Sequence, residues 1–414
     1  MALREALSIF RHRAYTQYWI MRQLVAAARQ TIMVAIGWQV YDLARETRSV
    51  EESALLLGVV GLVQFLPVFL LSLLGGQAAD RYDRKLILTI TNVIRIGCAC
   101  ALMTTPFVST GSALWILFGV AAVIGVTNAF APAAAGALYP NLVPREELRQ
   151  AIAVNSIGFQ ASSVIGPALG GFLYVNGPFT VYAVCLVMYV IATISMATAK
   201  TPKQQDMSGA NSIGLIFEGL RYIKSNKVLL GAITLDLVVV LFGGATALLP
   251  IFARDILMVG ADGLGLLRAA PAAGAGLVAF WLAGNPLTKR SGWWLLVSIG
   301  IYGVATLVFG FSQVFWLSIL ALAVTGAADM ISVYVRQSIV QLTTPDTMRG
   351  RVASVGFIFI SASNELGEFE SGIAARFLGP VGAVTLGGIV GIAMALAWPK
   401  WFPEMSRVDQ IGEP

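Results

Sequence analysis

Residues 59–85 read VVGLVQFLPVFLLSLLGGQAADRYDRK: twenty-one residues without a charge, then a short run holding two acids and three bases. A helix rises about 1.5 Å per residue and the hydrocarbon core of a bilayer is about 30 Å thick, so roughly twenty such residues cross it. The pattern recurs, for 113–130 and 381–398 are also free of charge. Only 12% of the 414 residues are charged and 57% are hydrophobic. A soluble domain carries roughly 25% charged residues. The chain has too little charge to coat a globule in water, and an all-α membrane protein is expected.

Apolar runs between polar breaks predict helices at 15–43, 53–79, 86–107, 112–140, 148–176, 178–199, 227–252, 260–284, 293–311, 313–341, 350–376 and 380–402. Lys and Arg orient them. Nineteen of the 28 basic residues fall in the tails and alternate loops, among them Arg11, Arg81, Arg84, Lys85, Arg145, Lys224, Lys289, Arg349 and Lys400. The opposite side holds Arg45, Arg48, Arg254 and Arg376. The positive-inside rule then places both termini in the cytoplasm and requires an even number of spans, here twelve. The net charge of +6 is thereby a topology signal, and no nucleic-acid partner is expected. Segment 1–12 is basic and amphipathic and reads as a retained cytoplasmic tail.

The longest polar interruption, 200–211, precedes an amphipathic stretch with Phe217, Leu220 and Ile223 at helical spacing. This divides the chain into a cytoplasmic tail (1–14), an N-terminal six-helix bundle (15–199), a cytoplasmic linker with an amphipathic helix (200–226), a C-terminal six-helix bundle (227–402) and a cytoplasmic tail (403–414). The halves echo each other. At an offset of 201 residues, Gly125, Pro144, Gly166 and Gly171 meet Gly326, Pro345, Gly367 and Gly372, among eight identities. Duplicated halves are a recurrent transporter plan.

Two motifs sharpen this. Segment 75–85, with Gly76, Asp80, Arg81, Arg84 and Lys85, resembles the cytoplasmic loop signature of the major facilitator superfamily, Gly-x-x-x-Asp-Arg-x-Gly-Arg-Lys. The resemblance implies a gate: small Gly76 lets two helices approach closely, and Asp80 pairs with Arg84 or caps the neighbouring helix. Asp83 stands where the signature has Gly, which leaves the turn geometry there open. Gly166-Pro167-Ala168-Leu169-Gly170-Gly171 in the fifth span is similar to the same family's antiporter signature. Pro167 removes a backbone hydrogen bond, and the glycines are expected to pack this helix across the seam between halves. The runs 81–88, 218–222 and 344–351 are similar to the subgroup that includes the enterobactin exporter and related proton-coupled multidrug antiporters. That subgroup implies two pseudo-symmetric six-helix bundles in a bacterial inner membrane, export of a small amphipathic molecule (siderophore or drug-like), and proton influx as the driving force. A lipid or lysophospholipid flippase of the same fold is the nearer alternative. A monomer surrounded by membrane lipid is expected.

A charge at the centre of a membrane helix costs roughly 2.5–3.5 kcal/mol on insertion scales. Ten charges read as internal to the expected spans: Arg22, Arg29, Arg95, Asp236, Arg268, Asp329, Arg336, Glu365, Glu368 and Glu370. They must face water or one another. Of these internal charges the N-terminal half has three arginines and no carboxylate, while the C-terminal half has five carboxylates and two arginines. Arg29, with Arg22 seven residues earlier, is the candidate holder of an anionic or polar substrate group. Arg22 can alternatively snorkel to the inner interface. Asp236 in the seventh span, and Asp329 and Arg336 in the tenth, join the substrate and coupling candidates. Glu365 and Glu368 share a face at i, i+3 and are read either as proton carriers or as part of an ion-pair network with Arg268 or Arg336. Glu370 points elsewhere, and Arg95 reads as structural. Cys98, Cys100 and Cys185 fall inside spans as apolar packing residues. The only histidine, His12, is in the tail, and neither a metal-ligand cluster nor Gly-x-x-x-x-Gly-Lys occurs. No enzyme activity, metal or cofactor is expected.

Overall fold

The computed structural model describes residues 8–201, 212–285, 287 and 290–406. Arg4, Lys203, Lys289 and Arg407 lie outside the described residues, as do the side chains of Phe217, Arg349 and Glu365. The described chain is helical: α1 Arg13–Ala44, α2 Val50–Arg81, α3 Arg84–Met103, α4 Thr110–Leu138, α5 Leu148–Tyr174, α6 Pro178–Thr198, α7 Ser212–Ser225, α8 Lys227–Phe242, α9 Gly260–Gly284, α10 Ser291–Phe311, α11 Phe315–Thr343 and α12 Asp346–Trp401. Among the described residues, ten helices are long and apolar enough to cross a membrane. The 32-residue α1 is not one of them, because arginines and glutamines interrupt it. Of α12 only Leu366–Trp401 qualifies.

Local chemistry sets the helix ends. Asp83 caps α3, its carboxylate accepting from the Lys85 amide at 2.8 Å. The aspartate that replaces the signature glycine therefore serves as an N-cap. Asn226 caps α8 by accepting from the Val228 and Leu229 amides at 3.1 and 3.2 Å. The seventh apolar run is expected as one helix over 227–252. It breaks instead after Phe242 at Gly243-Gly244 and resumes as short 3-10, α and π turns. α12 contains one non-helical residue, Gly379 at φ 73°, a conformation glycine reaches without a Cβ penalty.

The chain divides into two compact units. One comprises Met1–Leu43 with Val63–Ala210, the other Ala44–Leu62 with Asn211–Pro414. In the first, α3 packs on α4 and α6. α2 meets α4 closely at Gly75, where a Cβ would strike the Ala129 carbonyl. Gly76 has open space around it. The expected close approach therefore falls one residue earlier, because one residue turns a helix by about 100°. Arg84 donates to the Ala79 and Ala137 carbonyls at 3.1 and 2.8 Å, and Lys85 donates to Ala199 at 2.7 Å. Cations thus satisfy the orphan carbonyls at the C-terminal ends of α2, α4 and α6. Glu147 binds Arg11, and also His12 at 2.9 Å, tying the N-terminal turn to the start of α5.

In the second unit, Leu235, Val239, Leu295, Ile299, Val335 and Ile339 share one buried core. α7 lies on α12: Gly219 abuts the Arg351 carbonyl, Glu218 pairs with Arg351, and the Tyr222 hydroxyl donates to Thr343 at 3.2 Å.

Candidate functional site

In the first unit, α1 carries the arginines and α5 supports it. Three positions of α5, Gly158, Gly166 and Gly170, lie against Gln23, Ala27 with Gln30, and Thr31 with Val34 of α1. The Thr31 hydroxyl donates to the Gly166 carbonyl at 2.9 Å, beside Pro167, which is buried together with Gly171. The glycine face of the antiporter motif is therefore occupied by the first helix of its own unit, whereas the sequence reading assigned it to a seam between halves. Only backbone and small atoms fit there, so α1 is held close along its length.

Arg22 reaches the Tyr18 hydroxyl one turn earlier, which itself donates to Ala135 at 3.1 Å. Arg29 is half-buried and lies in the field of Arg95, and both act on Tyr189 of α6. Arg95 is 4% exposed. Its guanidinium donates to Thr127 at 3.1 Å, Asn128 at 3.2 Å and Asn92 at 3.5 Å. All three are neutral. The sequence marks Arg95 as an internal charge and reads it as structural, without naming the partners that hold it. Asn92 one turn before it and the Thr127-Asn128 pair on α4 are the signal that points inward.

In the second unit, Arg336 of α11 forms an ion pair with Asp236 of α8, and both side chains are over 90% buried. Ser332 is buried on the same face, while Asp329 is solvent-exposed although it lies mid-helix. Tyr302, within electrostatic reach of Asp329, donates to the Gly243 carbonyl at 2.9 Å. The break in α8 is thus tied to α10. Arg268 donates to Thr246 at 3.3 Å and is the cation acting on Glu368. Of the two partners considered for the glutamate pair, Arg336 is engaged by Asp236, and Arg268 is the one near Glu368. Glu370 points to the opposite side of α12. Arg45 and Asp255 pair at 3.5 Å. In the gate loop Asp80 and Arg81 are exposed, and Arg84 spends its donors on helix-end carbonyls.

Apolar helices enclosing charges that are paired with one another or with neutral amides and hydroxyls define a secondary-transporter bundle. The chain belongs to the transmembrane secretion effector family of the major facilitator superfamily, whose profile matches residues 4–412. It is a multi-span membrane transporter with a small-molecule substrate. Curated relatives include the enterobactin exporter EntS of Citrobacter koseri, 28% identical over 382 residues that cover 90% of this chain and 86% of that protein. EntS of Salmonella paratyphi A is 27% identical over 413 residues, covering 97% and 96%. These bacterial relatives accord with an inner-membrane location and an exporter role. Solved structures share the fold: a D-xylose–proton symporter (TM-score 0.69, 14% identity, 95% and 98% of the two chains) and a POT family transporter (0.73, 12%, 95% and 97%).

Proposed function

We propose that this transporter is a proton-coupled antiporter of twelve spans with both termini in the cytoplasm. It exports a small amphipathic molecule of siderophore or drug type by alternating access. Its bundles are 15–199 and 227–402, joined by the cytoplasmic linker 200–226, and it works as a monomer in membrane lipid.

The buried Asp236–Arg336 pair carries this reading. An ion pair taken out of water is weak evidence for stability, because desolvation offsets much of the attraction. It is well suited to switching. Protonation of Asp236 removes one charge and frees the guanidinium for a new partner, so a proton can bias a two-state bundle. Glu368 beside Arg268 is a second carboxylate–arginine site of this kind, and the exposed Asp329 offers a proton a wet entry point. Glu365 remains in the proposed coupling set. In the first unit, among the described residues, no carboxylate pairs with Arg22, Arg29 or Arg95, and Arg29 with Arg95 holds the anionic or polar end of the substrate. Asp80, Arg81 and Arg84, with Gly76 near the C-terminal end of α2, form the cytoplasmic gate. Gly166, Pro167, Gly170 and Gly171 set the path of α5 along α1.

The test is export from proteoliposomes driven by an imposed pH gradient. Glu368→Gln should abolish pH-driven export while substrate binding survives, and Asp236→Asn should behave alike. Unchanged transport in both variants would remove proton coupling at these carboxylates. Comparing small molecules secreted under iron limitation, with and without the protein, supplies the substrate.

A further inference from the structure

The buried face of α3 carries Asn92, Arg95 and Cys98, and neutral oxygens hold the guanidinium of Arg95 in place. Its Nε donates to the Thr127 hydroxyl at 3.1 Å, its Nη2 to the Asn128 amide oxygen at 3.2 Å and its Nη1 to the Asn92 amide oxygen at 3.5 Å. Thr127 gives its own proton to the Ile124 carbonyl at 2.8 Å, which leaves its oxygen as an acceptor. The titratable groups that act on Arg95 are Tyr189, Arg29 and Cys98. None of them is a carboxylate.

We propose that this cluster binds an organic anion whose charge sits on oxygen, a carboxylate or a phenolate, and selects it over neutral and cationic amphipaths. The inference rests on the reading that Arg29 with Arg95 holds one end of the exported molecule, and it fixes the charge and the chemistry of that end.

The unspent hydrogen-bonding groups specify the ligand. A guanidinium has five N–H groups. Three of those on Arg95 are taken, which leaves one on each terminal nitrogen, and two such N–H groups can take a carboxylate together. Asn92 turns its Oδ1 to Arg95, and its buried Nδ2 has no hydrogen-bond partner among the described residues. Among those residues, too, no hydrogen bond or ion pair engages Arg29. Tyr189 of α6, 1% exposed, stands in the field of both arginines. What remains unspent is therefore a set of N–H donors under two positive charges. A cation is repelled there and a neutral group leaves the charge unbalanced, whereas an oxyanion supplies both acceptor and counter-charge.

The second unit provides the contrast. Guanidinium groups stay charged in proteins, and a charge buried without a counter-charge is costly. In that unit carboxylates meet the cost, for Arg336 has Asp236 and Arg351 has Glu218. In the first unit no described carboxylate does so for Arg29 or Arg95, and the ligand takes that place. Arg29 and Asn128 are the half-buried members of the cluster and form its accessible side. Arg95, fixed by its three bonds, adds its charge from the buried side.

The experiment uses the full chain in phosphatidylcholine nanodiscs and three probes of similar shape: naphthoate, neutral naphthamide and naphthylmethylammonium. Equilibrium dialysis against empty discs reads the binding. Naphthoate should bind at least tenfold more tightly than the other two, and Arg29→Gln should weaken it at least tenfold. The discriminating variant is Asn92→Asp, which places a carboxylate beside Arg95. It should raise the melting temperature and also weaken naphthoate at least tenfold, whereas a merely structural Arg95 predicts the first effect without the second. Arg29 holds no bond to a described residue, so its variant keeps the test decisive if a change at position 92 disturbs folding. Equal affinity for naphthoate and naphthamide, or naphthoate binding unchanged by Arg29→Gln, would overturn the proposal. Displacement of naphthoate by an equal concentration of chloride would give the cluster to a free inorganic anion and overturn it as well. Dialysis involves no proton gradient, so these failures leave coupled export standing. Charge-selective binding without gradient-driven flux of naphthoate would uphold the site and count instead against the transport reading of Arg29 and Arg95.

Discussion

Asp236 and Arg336 illustrate how a burial context turns two ordinary side chains into one unit. Each is over 90% buried, and each finds its charge partner on another helix. Removing one partner leaves the other charged and desolvated, which costs about 3–5 kcal/mol, whereas replacing both can be nearly neutral. Arg336→Met alone should therefore lower stability by about that amount, and Asp236→Asn with Arg336→Met should recover most of it. Thermal unfolding in detergent reads both. A double variant as unstable as the single would show that the pair is not the source of the loss. The spacing of Asp329, Ser332 and Arg336 already placed the arginine on a polar face. Nothing in spacing says which neighbouring helix supplies the partner, because faces are local and pairing is tertiary. For the same reason the partners of Arg95, Thr127 and Asn128 on α4, are not legible in a reading made span by span.

Among elements, the α2–α4 crossing separates two glycines that a motif alone treats as one. Gly75 sits against the Ala129 backbone and Gly76 against nothing within 4 Å. Gly75→Leu should push the helices apart and cost about 1–3 kcal/mol, the usual penalty of overpacking. Gly76→Ala should be neutral or gain about 0.5–1 kcal/mol, since alanine loses less backbone entropy in a helix. Melting temperatures of the two purified variants check this, and equal losses would refute the assignment. Helix ends were legible in sequence where a capping residue or proline stood at them, as at Asn226 and Pro178. The break in α8 was less so, since 227–252 is apolar throughout and a Gly-Gly pair is also tolerated inside membrane helices. What opens the helix at 243–244 is packing. The Gly243 carbonyl accepts from Tyr302, and Gly244 lies on the Gly367 carbonyl and the Ser371 hydroxyl of α12.

At the scale of the whole molecule, the proposed topology follows from where the cations stand, and the structure adds a reason for their placement. Arg84 and Lys85 cap helix carbonyls of α2, α4 and α6, Arg351 binds Glu218 of α7, and Lys227 pairs with Glu404 at 3.1 Å. Basic residues that hold helix ends in water would be costly to carry across a bilayer. The proposed topology assigns the cytoplasmic side to the N-terminal turn before α1, the α2–α3 loop, α7 and the C-terminal end of α12. The prediction concerns single cysteines in a background lacking Cys98, Cys100 and Cys185. Cysteines replacing Ser8 and Ser406 should react with an impermeant maleimide only after the cells are permeabilised. Cysteines replacing Ser109 and Asn176, in the turns before α4 and α6, should react in intact cells. Labelling of Ser8→Cys and Ser406→Cys on opposite sides would make the number of spans odd, and the twelve-span arrangement would fall.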